Sequence, residues 1–238
     1  MTITLGSLFD GIGVFPLAAS RHGITPVWAS EIIPDAISIT KRHFPEMVHL
    51  GDITKLDGGK IPAVHVITFG SPCQNLSSIG PRDGLSGAKS SLFYQAIRII
   101  EEMRDASGGL YPAIAVWENV IGAMLPFYGF KMRGAAANRN RQHFLRSFGK
   151  RTDVFPTILA SEQTAFAYYY EDDPLGGCIR YPTEAESERL MGLPPDWTKY
   201  GADGAEIRSS SRYMALGNSI ALPCAEYIME GIAAALQK

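Results

Sequence analysis

Five short apolar segments recur along the first 120 residues, and helical patterns fill most of the intervals between them. Ile3–Leu8 is followed by a helical stretch from Val14 to Arg21, which tolerates Pro16 in its first turn and stops at His22-Gly23. Pro26–Ser30 reads as the second strand, and the spacing predicts a helix from Pro34 to His43 with Pro45 beyond its end. A third short strand near Val48–Leu50 precedes Ala63–Phe69, the clearest buried strand of the set. Ser91–Asp105 places Leu92, Ala96, Ile99, Ile100 and Met103 on one helical face, and Ala113–Trp117 supplies a fifth strand. Strands that alternate with helices restrict the chain to an α/β domain, a doubly wound, mostly parallel, Rossmann-like sheet with right-handed crossovers. A length of 238 residues allows one such domain with a small reduced second lobe, and a core that needs no covalent staple.

In such sheets ligands bind at the carboxyl ends of the strands. Asp10-Gly11-Ile12-Gly13, Glu31, Asp52, Cys73 and Glu118 each follow a predicted strand, so five strand ends point to one cleft. The first turn lets a ligand approach the backbone closely. Pro16 stands where a dinucleotide fingerprint has its third glycine, which disfavours a pyrophosphate on the helix N-terminus. With Glu31 about 20 residues on, where an acid commonly holds ribose hydroxyls, the turn suits a phosphate-free adenosine ligand such as S-adenosylmethionine. Taken alone, the same residues fit an ordinary β–α turn equally well. An NAD-dependent oxidoreductase is the competing chemistry, opposed by the missing glycine and by the loop that carries Cys73.

That loop, Gly70-Ser71-Pro72-Cys73-Gln74-Asn75-Leu76-Ser77, is small and polar. A structural cysteine ordinarily sits inside an element, whereas a nucleophile needs exposure. Paired with Glu118 in one cleft, a thiol and a carboxyl divide a hard step between covalent attack and proton donation. Cys73, Cys178 and Cys224 are odd in number and form no CxxC, so neither a disulfide framework nor a metal site is expected. No basic leader and no apolar run of about 18–20 residues is present, and a cytoplasmic chain without membrane contact is expected. Between Asn119 and Thr152 there is no acid, but Lys131, Arg133, Arg139, Arg141, Arg146, Lys150 and Arg151 account for seven of the 22 basic residues. This segment fits a polyanion footprint and a solvated basic loop equally well.

Together these pieces resemble the DNA cytosine-5 methyltransferases. The likeness is carried by Phe9-Asp10-Gly11-Ile12-Gly13, Ser30-Glu31-Ile32, Gly51-Asp52-Ile53, the Pro72-Cys73-Gln74 loop, Ser91-Leu92-Phe93 and Glu118-Asn119-Val120. Arg180 through Glu186 with Arg189–Pro194, then Gly217-Asn218-Ser219-Ile220, extend it in the family's order. The resemblance implies an S-adenosylmethionine-dependent methyltransferase fold and methylation of a flipped cytosine in duplex DNA through a covalent Cys73 adduct. It implies catalytic roles for Cys73 and Glu118. Phe9, Asp10, Gly11, Ile12, Gly13, Glu31, Ile32, Asp52, Ile53, Pro72, Leu92, Asn218 and Ser219 would bind the cofactor. Glu31 would hold the ribose and Asp52 the adenine amino group.

The chain departs from the family between Glu118-Asn119-Val120 and Arg180, where members carry a longer target-reading lobe. Arg139 and Arg141 keep an Arg-x-Arg, although Ala137 replaces the usual Gln; they are candidate catalytic contacts, with a merely basic loop as the alternative. The expected organisation is a first catalytic and cofactor part (1–130), a basic reduced region (131–177) and a C-terminal part (178–238) that returns to the catalytic domain. Two other functions remain open: a cofactor-binding remnant or split-enzyme subunit whose partner supplies target recognition, and a tRNA cytosine-5 methyltransferase. Thr183-Glu184-Ala185-Glu186 reads as a capping box opening a helix through Met191, and Pro223 starts a last helix expected to pack on the sheet.

Overall fold

In a computed structural model of the chain, described over residues 2–71, 91–118, 158, 160, 166–168 and 178–237, the alternation of the sequence becomes one parallel sheet. Strands β1 (Ile3–Leu8), β2 (Ile24–Ser30), β3 (Val48–His49), β4 (Val66–Phe69) and β5 (Ile114–Trp117) lie in the order β3-β2-β1-β4-β5. Every pairing among them is parallel. Helix α1 (Val14–Arg21) joins β1 to β2, α2 (Pro34–His43) joins β2 to β3, and α3 (Ser91–Ala106) precedes β5. The predicted α/β class and its Rossmann-like strand order are therefore present. Strand order reverses between β1 and β4, the crevice where such sheets take their ligands.

β2 begins two residues earlier than its pattern suggested, because Ile24 pairs with Ile3. β4 begins three residues later, since Ala63 is exposed and regular pairing starts only at Val66. Val66, Ile67, Thr68 and Phe69 are all buried, as a strand covered on both faces requires. Two apolar clusters flank the sheet. One gathers Ile3, Leu5, Ile12, Leu17 and Ala18 with Leu222, Ala225 and Met229; the other gathers Leu8, Trp28, Ile53, Ile67, Phe69, Ala96, Ile99 and Met103.

A short antiparallel pair, β6 (Phe166–Tyr168) and β7 (Cys178–Arg180), precedes helices α4 (Glu184–Leu190), α5 (Ser209–Gly217) and α6 (Leu222–Leu236). The last segment docks on the first. Trp197 Nε1 donates to Ile12 O at 2.9 Å, its ring stacks on His43, and Arg21 pairs with Glu226 at 2.5 Å. The last helix packs as expected beside the first part of the sheet: α6 buries Leu222, Ala225, Met229 and Ile232 in the cluster that holds Ile3 and Leu5 of β1, with α1 as its nearest neighbour. The expected boundaries at 130 and 177 fall outside the described residues.

The capping box forms as read. Thr183 Oγ1 accepts from Glu186 N at 3.2 Å, and Glu186 Oε2 accepts from Thr183 N at 2.8 Å. Thr183→Ala should cost about 1 kcal/mol in urea unfolding, since it strips one partner from the helix start. An unchanged midpoint would mean the box contributes nothing.

Candidate active site

After Leu8 the chain turns through Phe9, Gly11 and Gly13, all at positive φ (54°, 60° and 75°). Glycine adopts such angles freely; for Phe9 they are strained, and the surrounding bonds must hold them. Glu31, at the end of β2, accepts Gly11 N on Oε2 at 2.9 Å, and Ile32 N and Ile33 N on Oε1 at 2.7 and 3.0 Å. Oε2 has a single donor among these bonds, which leaves it acceptor capacity for a hydroxyl. Thr40 Oγ1 steadies the turn from α2 by donating to Gly11 O at 3.2 Å. Sequence reasoning missed Thr40, whose hydroxyl is fully buried in the structure.

The loop after α5 returns to this turn. A Cβ placed on Gly11 would lie 3.9 Å from Ser219 Oγ, and exposed Asn218 is its neighbour. Ile12 is fully buried and Ile32 is 67% exposed, so of the two only Ile32 presents an apolar side chain at the cleft rim.

Asp52, after β3, caps the 3-10 turn Ile53–Lys55: its Oδ1 accepts Thr54 N at 3.0 Å and Thr54 Oγ1 at 2.8 Å. These bonds hold its carboxyl below the usual range, and they leave Oδ2 for another donor. Phe9 and Leu92, only partly buried, pack against the second apolar cluster, which holds buried Ile53, so the strand ends offer a hydrophobic face beside a free carboxylate oxygen.

Asp10 is buried inside the turn, and neither of its oxygens has a hydrogen-bond partner of good geometry. Burial pushes its pKa up to about 7, with the nearby charge of Glu31 adding to the rise and the Ser7 and Thr40 hydroxyls opposing it. An acid whose folded pKa is raised contributes its full stability below the unfolded value of 3.8 and loses it as pH climbs to about 7. Between pH 5 and 7 that loss is about 2 kcal/mol, at roughly 1.4 kcal/mol per pH unit for a single proton. Asp10→Asn should flatten this slope in urea unfolding across the same window; an unchanged slope would place the titration elsewhere.

Glu118 follows β5 and donates its backbone N–H to Phe69 O at 2.9 Å. Its carboxylate lies across Gly70, at the end of β4: a Cβ on residue 70 would meet Glu118 Oε2 at 3.0 Å. Half-burial raises the Glu118 pKa, so the group keeps its proton to higher pH than an exposed glutamate does. Gly70 is two residues ahead of Pro72-Cys73. Pro72, Cys73, Arg139 and Arg141 lie outside the described residues. Among the described residues no three His, Cys, Asp or Glu side chains could hold a metal ion, and no single helix is long and apolar enough to cross a membrane.

The fit to a cofactor can be judged from the donor set. Carboxylates at Glu31 and Asp52 beside an apolar face suit a neutral adenosine with a cationic group, and oppose a pyrophosphate. The family described as C-5 cytosine-specific DNA methylase matches residues 3–129. A DNA N-6-adenine-methyltransferase of Escherichia phage P1 is 32% identical over 125 residues, covering 50% of this chain and 17% of its own. The type II methyltransferase M2.BsuMI of Bacillus subtilis is 22% identical over 296 aligned positions, covering 95% of this chain and 74% of the relative. That alignment is longer than the 238-residue chain, so the relative carries stretches absent here. The matches take in only 21% to 28% of the length of several other curated relatives. Among solved structures, the methyltransferase EhMeth of Entamoeba histolytica superposes with a TM-score of 0.66 at 15% identity, covering 100% of both chains.

Proposed function

The chain belongs to the C-5 cytosine-specific DNA methylase family, and on that premise we propose that it methylates C5 of cytosine in duplex DNA, with S-adenosylmethionine as methyl donor. The observation that carries this reading is Glu118 lying across Gly70, at the mouth of the loop that leads to Cys73. When bound, the cofactor supplies an electrophilic methyl group on a sulfonium. Glu31 would take the ribose hydroxyls through Oε2, Asp52 the adenine amino group through Oδ2, and Phe9, Ile53 and Leu92 the purine faces. Gly11, Ile12 and Gly13 would lie against the cofactor through their main chain, and Ile32, Pro72, Asn218 and Ser219 would close around it.

Cytosine C5 is a poor nucleophile, and this chain's residues would activate it. The Cys73 thiolate forms a bond to C6, the C5–C6 π electrons shift toward C5, and Glu118 gives its proton to N3. Joining the methyl to C5 breaks its bond to sulfur and leaves S-adenosylhomocysteine. A solvent water then takes the C5 proton, the C5–C6 double bond re-forms as the Cys73 thiolate leaves C6, and N3 returns its proton to Glu118. The base must leave the duplex to reach these groups, at an unstacking cost of a few kcal/mol. Arg139 and Arg141 would contact the flipped base or its phosphates. We assign 1–130 and 178–238 to the catalytic domain and 131–177 to a reduced, basic target-recognition region.

Methyl transfer from labelled cofactor to duplex DNA, single-stranded DNA and tRNA tests the proposal. Incorporation into duplex DNA that disappears in Cys73→Ala supports it, and preferential labelling of tRNA would reassign the substrate. The longer alignment with M2.BsuMI favours a second reading, a subunit whose partner supplies target recognition. Cofactor binding with no transfer to any of the three substrates would overturn the first reading in favour of the second.

A further inference from the structure

The turn that carries Asp52 and Ile53 has few bonds of its own. It spans three residues, and Asp52 is its cap. What fixes it lies on α3. Arg98 Nη2 donates to Ile53 O at 3.1 Å and Nη1 to Leu56 O at 2.9 Å, so one guanidinium takes the carbonyls at the first residue of the turn and just past its last. Arg98 is itself held. Nε donates to Gln95 Oε1 at 2.8 Å, and Nη1 reaches both oxygens of Glu102 at 2.8 and 2.9 Å. Glu102 Oε2 in turn accepts Gly58 N at 2.7 Å, which fastens the same loop at a third point. Gly58 sits so close to α3 that a Cβ there would meet Ile99 O at 2.3 Å. The loop therefore lies flat on the helix.

We propose that Arg98, oriented by Glu102, is a positioning residue for the adenine end of the cofactor site: it sets the Asp52–Ile53 turn so that Asp52 Oδ2 and the adjoining apolar face meet the purine together. The inference rests on the reading that Asp52 and Ile53 receive the adenine. A planar fork can hold two carbonyls and a carboxylate at once, which a lysine ammonium on a flexible stem does less well. The pair is also half-exposed, with side-chain accessibilities of 32% and 34%, so its value lies in geometry more than in core stability. From sequence, the pair reads only as an ordinary i, i+4 helix ion pair.

The test is calorimetric binding of S-adenosylhomocysteine and of its inosine counterpart, whose purine lacks the amino group, to the full chain and its variants. The wild type should prefer the adenosine compound. Arg98→Ala should weaken that compound about tenfold or more and the inosine compound severalfold less, through the apolar face the two share, so the preference shrinks; Arg98→Lys should recover part of it. Asp52→Ala separates the two layers. If Asp52→Ala leaves affinity and preference unchanged, or the wild type binds neither compound, the adenine reading fails and this inference fails with it. If Asp52→Ala abolishes the preference but Arg98→Ala leaves it unchanged, the positioning role alone is overturned. Equal weakening of both compounds in Arg98→Ala, with a lowered unfolding midpoint, would make Arg98 merely structural. Should Arg98→Ala not fold, Arg98→Lys and Glu102→Gln carry the same comparison, and an unchanged preference in both overturns the proposal.

Discussion

Glu118→Gln is expected to lower methyl transfer by about 10²- to 10⁴-fold, the range associated with losing a positioned acid. Glutamine keeps the volume beside Gly70 and can still hydrogen-bond to N3, but it cannot deliver a proton. Because burial raises the Glu118 pKa, the wild type should lose activity on the alkaline side as that carboxyl ionises. The variant should lack this limb of the pH–rate profile while binding S-adenosylhomocysteine as before. Transfer within about threefold of the wild type, with the alkaline limb intact, would remove Glu118 from the chemistry.

Arg212→Ala is expected to cost about 3–5 kcal/mol, the penalty for breaking a buried ion pair from one side. Glu188 is fully buried; its Oε1 accepts Arg212 Nη2 at 3.0 Å, Thr198 N at 2.8 Å and Thr198 Oγ1 at 2.5 Å. Arg212 Nε also donates to Thr198 Oγ1 at 3.0 Å, and Glu188 Oε2 already lacks a partner. Without Arg212 the carboxylate would have no countercharge among these bonds. A loss of that size is a large part of a typical 5–15 kcal/mol total. Replacing both residues with apolar ones of similar volume, Glu188→Leu with Arg212→Met, should recover only part of it, because Thr198 N and Oγ1 lose their shared acceptor. Urea unfolding measures both, and a single-variant loss under about 1 kcal/mol would show that water reaches the pair.

The same arginine shows why α5 was not legible in the sequence. Ser209–Gly217 opens on three serines behind Arg208, which makes no side-chain cap, and its buried residues are Arg212 and Leu216. An arginine in the helix pattern reads as surface; only Glu188, 24 positions earlier, makes it interior. Local signals served well where the physics was local. Both ends of α1 and α2 fell where the sequence pattern put them, with His22-Gly23 stopping α1, Pro34 starting α2 and Pro45 beyond its end, and the Thr183–Glu186 box opened α4. At the candidate site, the strand-end rule located Glu31, Asp52 and Glu118 because it follows from the sheet's topology alone. Thr40 and Arg98 stayed hidden, since each acts through a backbone carbonyl that no side-chain pattern encodes.

The bond from Trp197 to Ile12, with the Arg21–Glu226 pair, joins the two ends of the chain across about 200 positions. Between ends held in this way, the length of a flexible insertion is thermodynamically cheap. Doubling a flexible connection costs only about 0.6 kcal/mol, so a span between fixed ends can lengthen or shorten with little effect on the ends themselves. On the proposed assignment of 131–177 to target recognition, that part could be exchanged, trimmed or lent by another polypeptide while the reacting half persists. Selection on what is methylated is thereby uncoupled from selection on how.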